Sequence, residues 1–132
     1  MTAVIDATFR VAAGVDINYN RANMGRHHLG AFEQTLLYAL VRLGPDTSGL
    51  DIARLIESRT GRLISPGAIY AGLDRLTARQ LVTSKLGEPT PQRGGKRRRL
   101  YRATPAGVAR LRDTHQALGE MARGLQPKLH SS

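Results

Sequence analysis

No helix can run through residues 87–97. The stretch reads GEPTPQRGGKR and holds two prolines and three glycines. Proline clashes with the turn before it, and glycine loses more backbone freedom on ordering than any other residue. Runs of strand composition lie on either side, LVTSKL (Leu81 to Leu86) and RLYRA (Arg99 to Ala103). Two strands returning on each other about a long tip satisfy all of this. The rest of the chain has to be arranged around that hairpin, and its patterned parts have helical spacing.

Leu29, Phe32, Leu36, Leu37, Leu40 and Leu43 recur at helical spacing until the sequence LGP (Leu43 to Pro45) stops the run. Ser48 opens a second helix, with Asp51 three positions on as a short-armed capping box. Ile52, Leu55 and Ile56 make its buried face, and Gly61 suits the left-handed position after its end. In LISPGAIYAGLDRLTARQLV, Ser65 is an N-cap and Pro66 occupies the first helical position, where its missing N–H costs nothing. Ile69, Leu73 and Leu76 form one stripe of this third helix, joined by Ala68 and Gly72. Gly67, Tyr70, Ala71, Asp74, Arg75, Ala78 and Arg79 take the other face, where Tyr70, Arg75 and Arg79 offer donors. A last helix starts at Thr104–Pro105 and carries a seam of Val108, Leu111, His115, Leu118, Ala122 and Leu125. The seam is too short to stand alone and needs a surface to pack on. Where they sit within the helix, Gly119 and Gly124 weaken it by up to about 1 kcal/mol each relative to alanine.

The order is helix, helix, helix, hairpin, helix, in one domain of mainly α class. Residues 1–28 read as an arm, 29–103 as the compact part with the hairpin at about 81–103, 104–125 as the last helix, and 126–132 as a fraying tail.

Charge narrows the function. The net charge is +10 and the pI about 11.2. Seven cations against one acid, Glu88, lie between Lys85 and Arg102, so more than half of the excess sits on the hairpin. Charge concentrated in this way favours a polyanionic partner. The chain has no cysteine, which excludes a disulfide framework and thiolate metal ligation and is compatible with a reducing, cytoplasmic setting. His27 and His28 are adjacent, so their side chains point apart, and no carboxylate stands at ligand spacing: no metal site is expected. No apolar run approaches the ~18 residues of a membrane-spanning helix, and the N-terminus lacks the basic start of a signal peptide. The sequence contains no Gly-rich phosphate loop, no Ser/His/Asp or Cys/His arrangement and no paired carboxylates beside a histidine, so neither catalytic residues nor a cofactor are expected.

Three short helices followed by a two-stranded ribbon make a winged helix-turn-helix. Its third helix can enter a DNA major groove while the ribbon reaches the backbone alongside. The glycines at the tip permit positive φ and close approach to phosphates, and Arg93, Lys96, Arg97, Arg98 and Arg99 supply the counterion release that dominates affinity. Strand alternation turns Arg97 and Arg99 one way and Arg98 the other.

Three motifs in this order resemble the PadR family of bacterial transcriptional regulators: LGAFEQTLLYALVRLG, GLDIARLIESRTGRLISPGAIYAGLDRLTARQLV and LGEPTPQRGGKRRRLYRATPAGVARL. The resemblance covers about Leu29 to Leu118 and says nothing about the N-terminal arm. It implies a winged-helix repressor that binds double-stranded DNA as a homodimer and uses its C-terminal helix for dimerisation. The recognition-helix positions would be Ser65, Gly67, Ala68, Tyr70, Ala71 and Arg75. The wing positions would be Arg93, Gly94, Gly95, Lys96, Arg97 and Arg98. Leu29, Leu111, His115, Leu118, Ala122 and Leu125 would form the dimer interface. Family members often respond to small aromatic effectors, although this chain has no tryptophan to stack on one. Several residues have a second reading. Tyr70 could be a partly buried helix residue, Arg75 a surface ion-pair partner, Ser65 only a cap, and His115 an interface residue without a sensing role. The charge pattern also suits a basic RNA- or ribosome-binding module, or a protein–protein adaptor that kept the fold.

Overall fold

A computed structural model describes residues 28–89, 91, 94 and 97–130. The arm expected over residues 1–28 therefore lies outside the described residues apart from His28, as do the expected wing contacts Arg93, Gly95 and Lys96. The described chain divides into two units, one of Leu29–Leu111 and one that includes residues 112–130.

In the first unit, helix α1 (Ala31–Leu43) begins where Glu33 Oε1 accepts the Gly30 N–H at 3.0 Å. Strand β1 (Thr47–Ser48) leads directly into α2 (Gly49–Thr60), whose N-cap Ser48 accepts the Asp51 N–H at 3.1 Å. α2 ends at Gly61 in the left-handed region, with φ 75°. α3 (Pro66–Ala78) has Ser65 as its cap, accepting the Ala68 N–H at 3.2 Å, and Pro66 at its start. Strands β2 (Val82–Pro89) and β3 (Arg97–Ala103) form the ribbon, and α4 (Pro105–Ala122) follows. The N-caps Ser48 and Ser65, the start at Pro66 and the terminator Gly61 are in place, because these are local side chain–backbone contacts that the sequence specifies directly; of the expected Ser48–Asp51 capping box only the Ser48 half forms.

Two features of the sheet differ from the two-stranded expectation. It has three antiparallel strands in the order β1-β3-β2, with Thr47 opposite Tyr101 and Ser48 opposite Leu100. A two-residue strand carries no periodicity, so β1 could not be read from spacing. The ribbon strands are also longer than their apolar runs. Pairing continues from Leu86–Arg99 to Pro89–Arg97 across an irregularity between Leu86 and Pro89. The strands therefore reach into the stretch expected as tip, to Pro89 and Arg97.

Leu36, Leu37 and Leu40 of α1, Ile52 and Ile56 of α2, and Ile69, Leu73 and Leu76 of α3 close on Leu81, just before β2, and on Val82 and Tyr101 of the sheet. Leu29 and Leu111 complete this core, at 2% and 5% exposure. Both were expected at a dimer interface. Within one chain they are instead already covered, since the core of three short helices recruits the residue before the α1 N-cap and the second turn of α4. The start of α4 is locked to the end of α3 and the start of β2. Thr104 donates its hydroxyl to Gln80 O at 2.9 Å and its N–H to Leu81 O at 3.0 Å, while its Oγ1 accepts the Gly107 N–H at 3.0 Å. A Cβ on Gly107 would lie 2.1 Å from Leu81 O, so the helix can approach the strand this closely only with glycine there.

In the second unit, α4 continues from Arg112 to Ala122, Gly124 turns the chain with φ 82°, and α5 (Gln126–His130) forms where fraying was expected. Leu118, Met121, Leu125 and Leu129 are exposed along it.

Candidate nucleic-acid interface

α3 has one buried face and one open face. Ile69, Gly72, Leu73 and Leu76 are buried. Ser65, Gly67, Ala68, Tyr70, Ala71, Asp74, Arg75 and Ala78 are all exposed, so the six residues expected on the recognition helix lie on a single accessible surface. Ala68 sits with them rather than with the buried stripe. Arg79 does not join this surface. Its Nη1 donates to both carboxylate oxygens of Glu33, at 3.2 and 3.3 Å, with both side chains largely covered. The outward reading of Arg79 is thereby corrected: it is the C-cap of α3, and its guanidinium pairs with Glu33 of α1.

Tyr70 has two roles. It is 43% exposed, yet its ring lies so close to α2 that a Cβ on Gly49 would come within 2.9 Å of the ring and hydroxyl. Its ring centroid is 6.4 Å from that of Tyr101 on β3, tilted by 44°. The buried Tyr101 hydroxyl is pushed above the ordinary tyrosine pKa. Desolvation contributes most, followed by Tyr70 and Asp74 of α3, against an opposing pull from Arg99. One phenol thus feels both the open face of α3 and a cation of β3.

The wing cations divide by strand alternation. Arg97 and Arg99 share the face of β3 that carries Tyr101 and are exposed. Arg97 Nε donates to Gly87 O at 2.8 Å, and Arg99 Nη1 donates to Ser84 Oγ at 3.1 Å. Each guanidinium keeps further N–H groups beyond these bonds, since it carries five. Arg98 lies on the other face, half-buried, with Nη2 2.7 Å from Ser48 Oγ. It therefore stands apart from the outward cations with which it was grouped. Gly94 at the tip has φ 62° and donates its N–H to Pro91 O at 3.0 Å, the positive φ expected of a glycine there. Lys85 is drawn aside to Asp46 at 3.2 Å.

Three features of this surface escaped sequence reasoning: the third strand, the second ligand of Ser48, and the Gly49–Tyr70 contact. Only the last left a trace, a glycine directly after an N-cap. Among the residues assigned to dimerisation in the second unit, His115, Leu118 and Leu125 are exposed and Ala122 is half-buried. No described helix is long and apolar enough to cross a membrane.

Residues 36–113 match the profile of the Transcriptional regulator PadR-like family. A transcriptional regulator of Mycobacterium tuberculosis is 47% identical over 68 residues, which is 50% of this chain and 58% of that protein. The chain thus aligns with little more than half the length of that curated relative. Among solved structures, a PadR family transcription regulator of Clostridium difficile superposes with a TM-score of 0.62 at 23% identity, over 76% of this chain and 99% of that one. Bacillus subtilis PadR, solved in complex with operator DNA, superposes with a TM-score of 0.56 at 23% identity, over 65% of this chain and 48% of that one. At these identities the two structures establish the winged-helix fold.

Proposed function

Because the chain belongs to the PadR-like family of transcriptional regulators, we propose that it binds double-stranded DNA sequence-specifically, as a homodimeric repressor acting on a palindromic operator. It works by binding rather than by catalysis, within the cytoplasm. The observation that carries this reading is the Tyr70–Tyr101 contact. It sets the open face of α3 beside the outward cations of β3 in one compact unit. A major groove admits one helix, and a ribbon beside it meets the flanking backbone.

In this reading Tyr70 and Arg75 contact the duplex from α3, and Ala68 and Ala71 lie against base edges or thymine methyls. The exposed N-terminus of α3 at Ser65 and Gly67 faces a phosphate, which the helix dipole favours. Arg97 and Arg99, with Arg93 and Lys96 of the tip, neutralise backbone phosphates. Bacillus subtilis PadR, which shares the fold, was solved in complex with operator DNA. Leu118, Ala122 and Leu125 supply an apolar surface for a second copy, which would place two recognition helices about one DNA turn, ~34 Å, apart.

The test is selection of duplexes from a random-sequence pool by the full chain, followed by anisotropy titrations. A palindromic sequence should be enriched and bound far more tightly than random duplex or structured RNA at equal salt. Equal affinity for all three would contradict a sequence-reading function, and a preference for the RNA would favour an RNA-binding module.

A further inference from the structure

We propose that Arg98 is a positioning residue. It acts through Ser48 to hold the wing in register with the helix-turn-helix and does not itself neutralise a phosphate. The inference rests on the DNA-binding reading above and assigns to one cation of the basic run a role different from its neighbours.

The charge pattern alone treats Arg97, Arg98 and Arg99 alike. The structure separates them. Arg97 and Arg99 are exposed on the face of β3 that packs, at Tyr101, towards α3. Arg98 projects from the other face and is half-buried. Its Nη2 is 2.7 Å from Ser48 Oγ, the short distance of a charge-assisted bond.

Ser48 is no casual acceptor. It is only 4% exposed, caps α2 through the Asp51 N–H, and belongs to β1, where it stands opposite Leu100. A hydroxyl oxygen has two acceptor sites. The Ser48 oxygen receives one bond from the first turn of α2 and one from the wing. Beyond Ser48 no residue of β1 pairs with β3, so at Arg98 the backbone ladder to β1 has ended while the ribbon runs on to the tip. The Arg98–Ser48 bond extends the attachment of the wing by one step, using a side chain in place of the missing strand. Gly49, the next residue, lies under the Tyr70 ring, so the same short segment contacts the recognition helix. Arg98 thus ties the ribbon carrying the outward cations to the segment on which Tyr70 rests. Rigid supports of this kind set how well first-contact groups are placed.

The experiment is a double-mutant cycle on the full chain. It uses Arg98→Gln, Ser48→Gly and the pair, with Kd measured against a salt series for a duplex enriched by the wild-type chain from a random pool. Ser48→Gly is chosen because glycine retains most of the N-cap preference, costing only a few tenths of a kcal/mol, and leaves the Arg98 charge intact. Circular dichroism melting confirms that each variant is folded. If Arg98 acts through Ser48, each single variant weakens binding by about five- to tenfold, a loss of roughly 1–1.4 kcal/mol. The two singles then share one salt slope, and the double variant is no weaker than either single.

If Arg98 contacts a phosphate, Arg98→Gln lowers the log–log salt slope by about 0.9 while Ser48→Gly binds as wild type, and the proposal is overturned. Wild-type affinity in both singles would also overturn it, whatever happens to the melting temperature, because the bond would then serve stability alone. Should Ser48→Gly fail to fold, Arg98→Gln decides by itself: weakened binding at an unchanged slope supports positioning, and a lowered slope or undiminished affinity refutes it. If the wild-type chain enriches no duplex, the DNA-binding reading fails and the proposal falls with it.

Discussion

A Cβ at position 107 would lie 2.1 Å from the Leu81 carbonyl oxygen, and one at position 119 would meet nothing within 4 Å. The two glycines therefore predict opposite outcomes. Gly107→Ala has to push α4 off a backbone atom and should cost about 3 kcal/mol or more. Gly119→Ala removes backbone entropy from an exposed helix position and should gain up to about 1 kcal/mol. Urea unfolding of the two variants checks both signs. Tyr101 adds a prediction in pH. Its folded-state pKa is raised, chiefly by burial, above the 10.0 of an ordinary tyrosine. Above that pH the unfolded chain releases a proton that the folded chain retains. The unfolded state then binds fewer protons, and stability falls as pH rises until the folded pKa is passed. Below pH 10 the contribution is complete. Tyr101→Phe should flatten the fall in stability above pH 10 and leave the neutral-pH slope unaltered, which urea midpoints taken along a pH series would show.

At the scale of elements, α1 and α3 are joined by the Glu33–Arg79 pair as well as by apolar packing. Arg79→Ala should destabilise the unit by on the order of 1 kcal/mol, the cost of a largely covered pair left half-made. Glu33→Gln should cost less, because an amide oxygen can still accept the Gly30 N–H. Thermal melts of both variants test this ordering. The elements also show what kind of information the sequence holds. α2 and α3 were legible to their caps, since Ser48, Gly61, Ser65 and Pro66 act on backbone groups within a turn of themselves. The open face of α3 followed from its apolar stripe, which left Tyr70 and Arg75 outside. What spacing could not deliver was anything settled by a distant partner. Arg79 is drawn to Glu33, 46 positions away, and Arg98 to Ser48, 50 positions away. Leu29 and Leu111 looked available to a second copy until the fold folded them into its own core. Periodicity finds a face, but it does not say what covers that face.

At the scale of the whole molecule, the proposed function rests on two surfaces. The apolar residues exposed in the second unit should bring two copies together. Light scattering should give a dimer mass for the wild-type chain and a monomer mass for Leu118→Glu, with the melting of the winged-helix unit retained. The other surface is the open face of α3 with the outward cations of β3, the centre of the functional reading. It is tested most directly by the salt dependence of duplex binding in the Arg97→Gln/Arg99→Gln variant. The account predicts a log–log slope smaller than wild type by up to about 1.8, two phosphate contacts at about 0.9 each, with the order of preference among duplex sequences kept. A slope equal to the wild-type value would mean that these two arginines do not meet the DNA backbone, and would contradict the account.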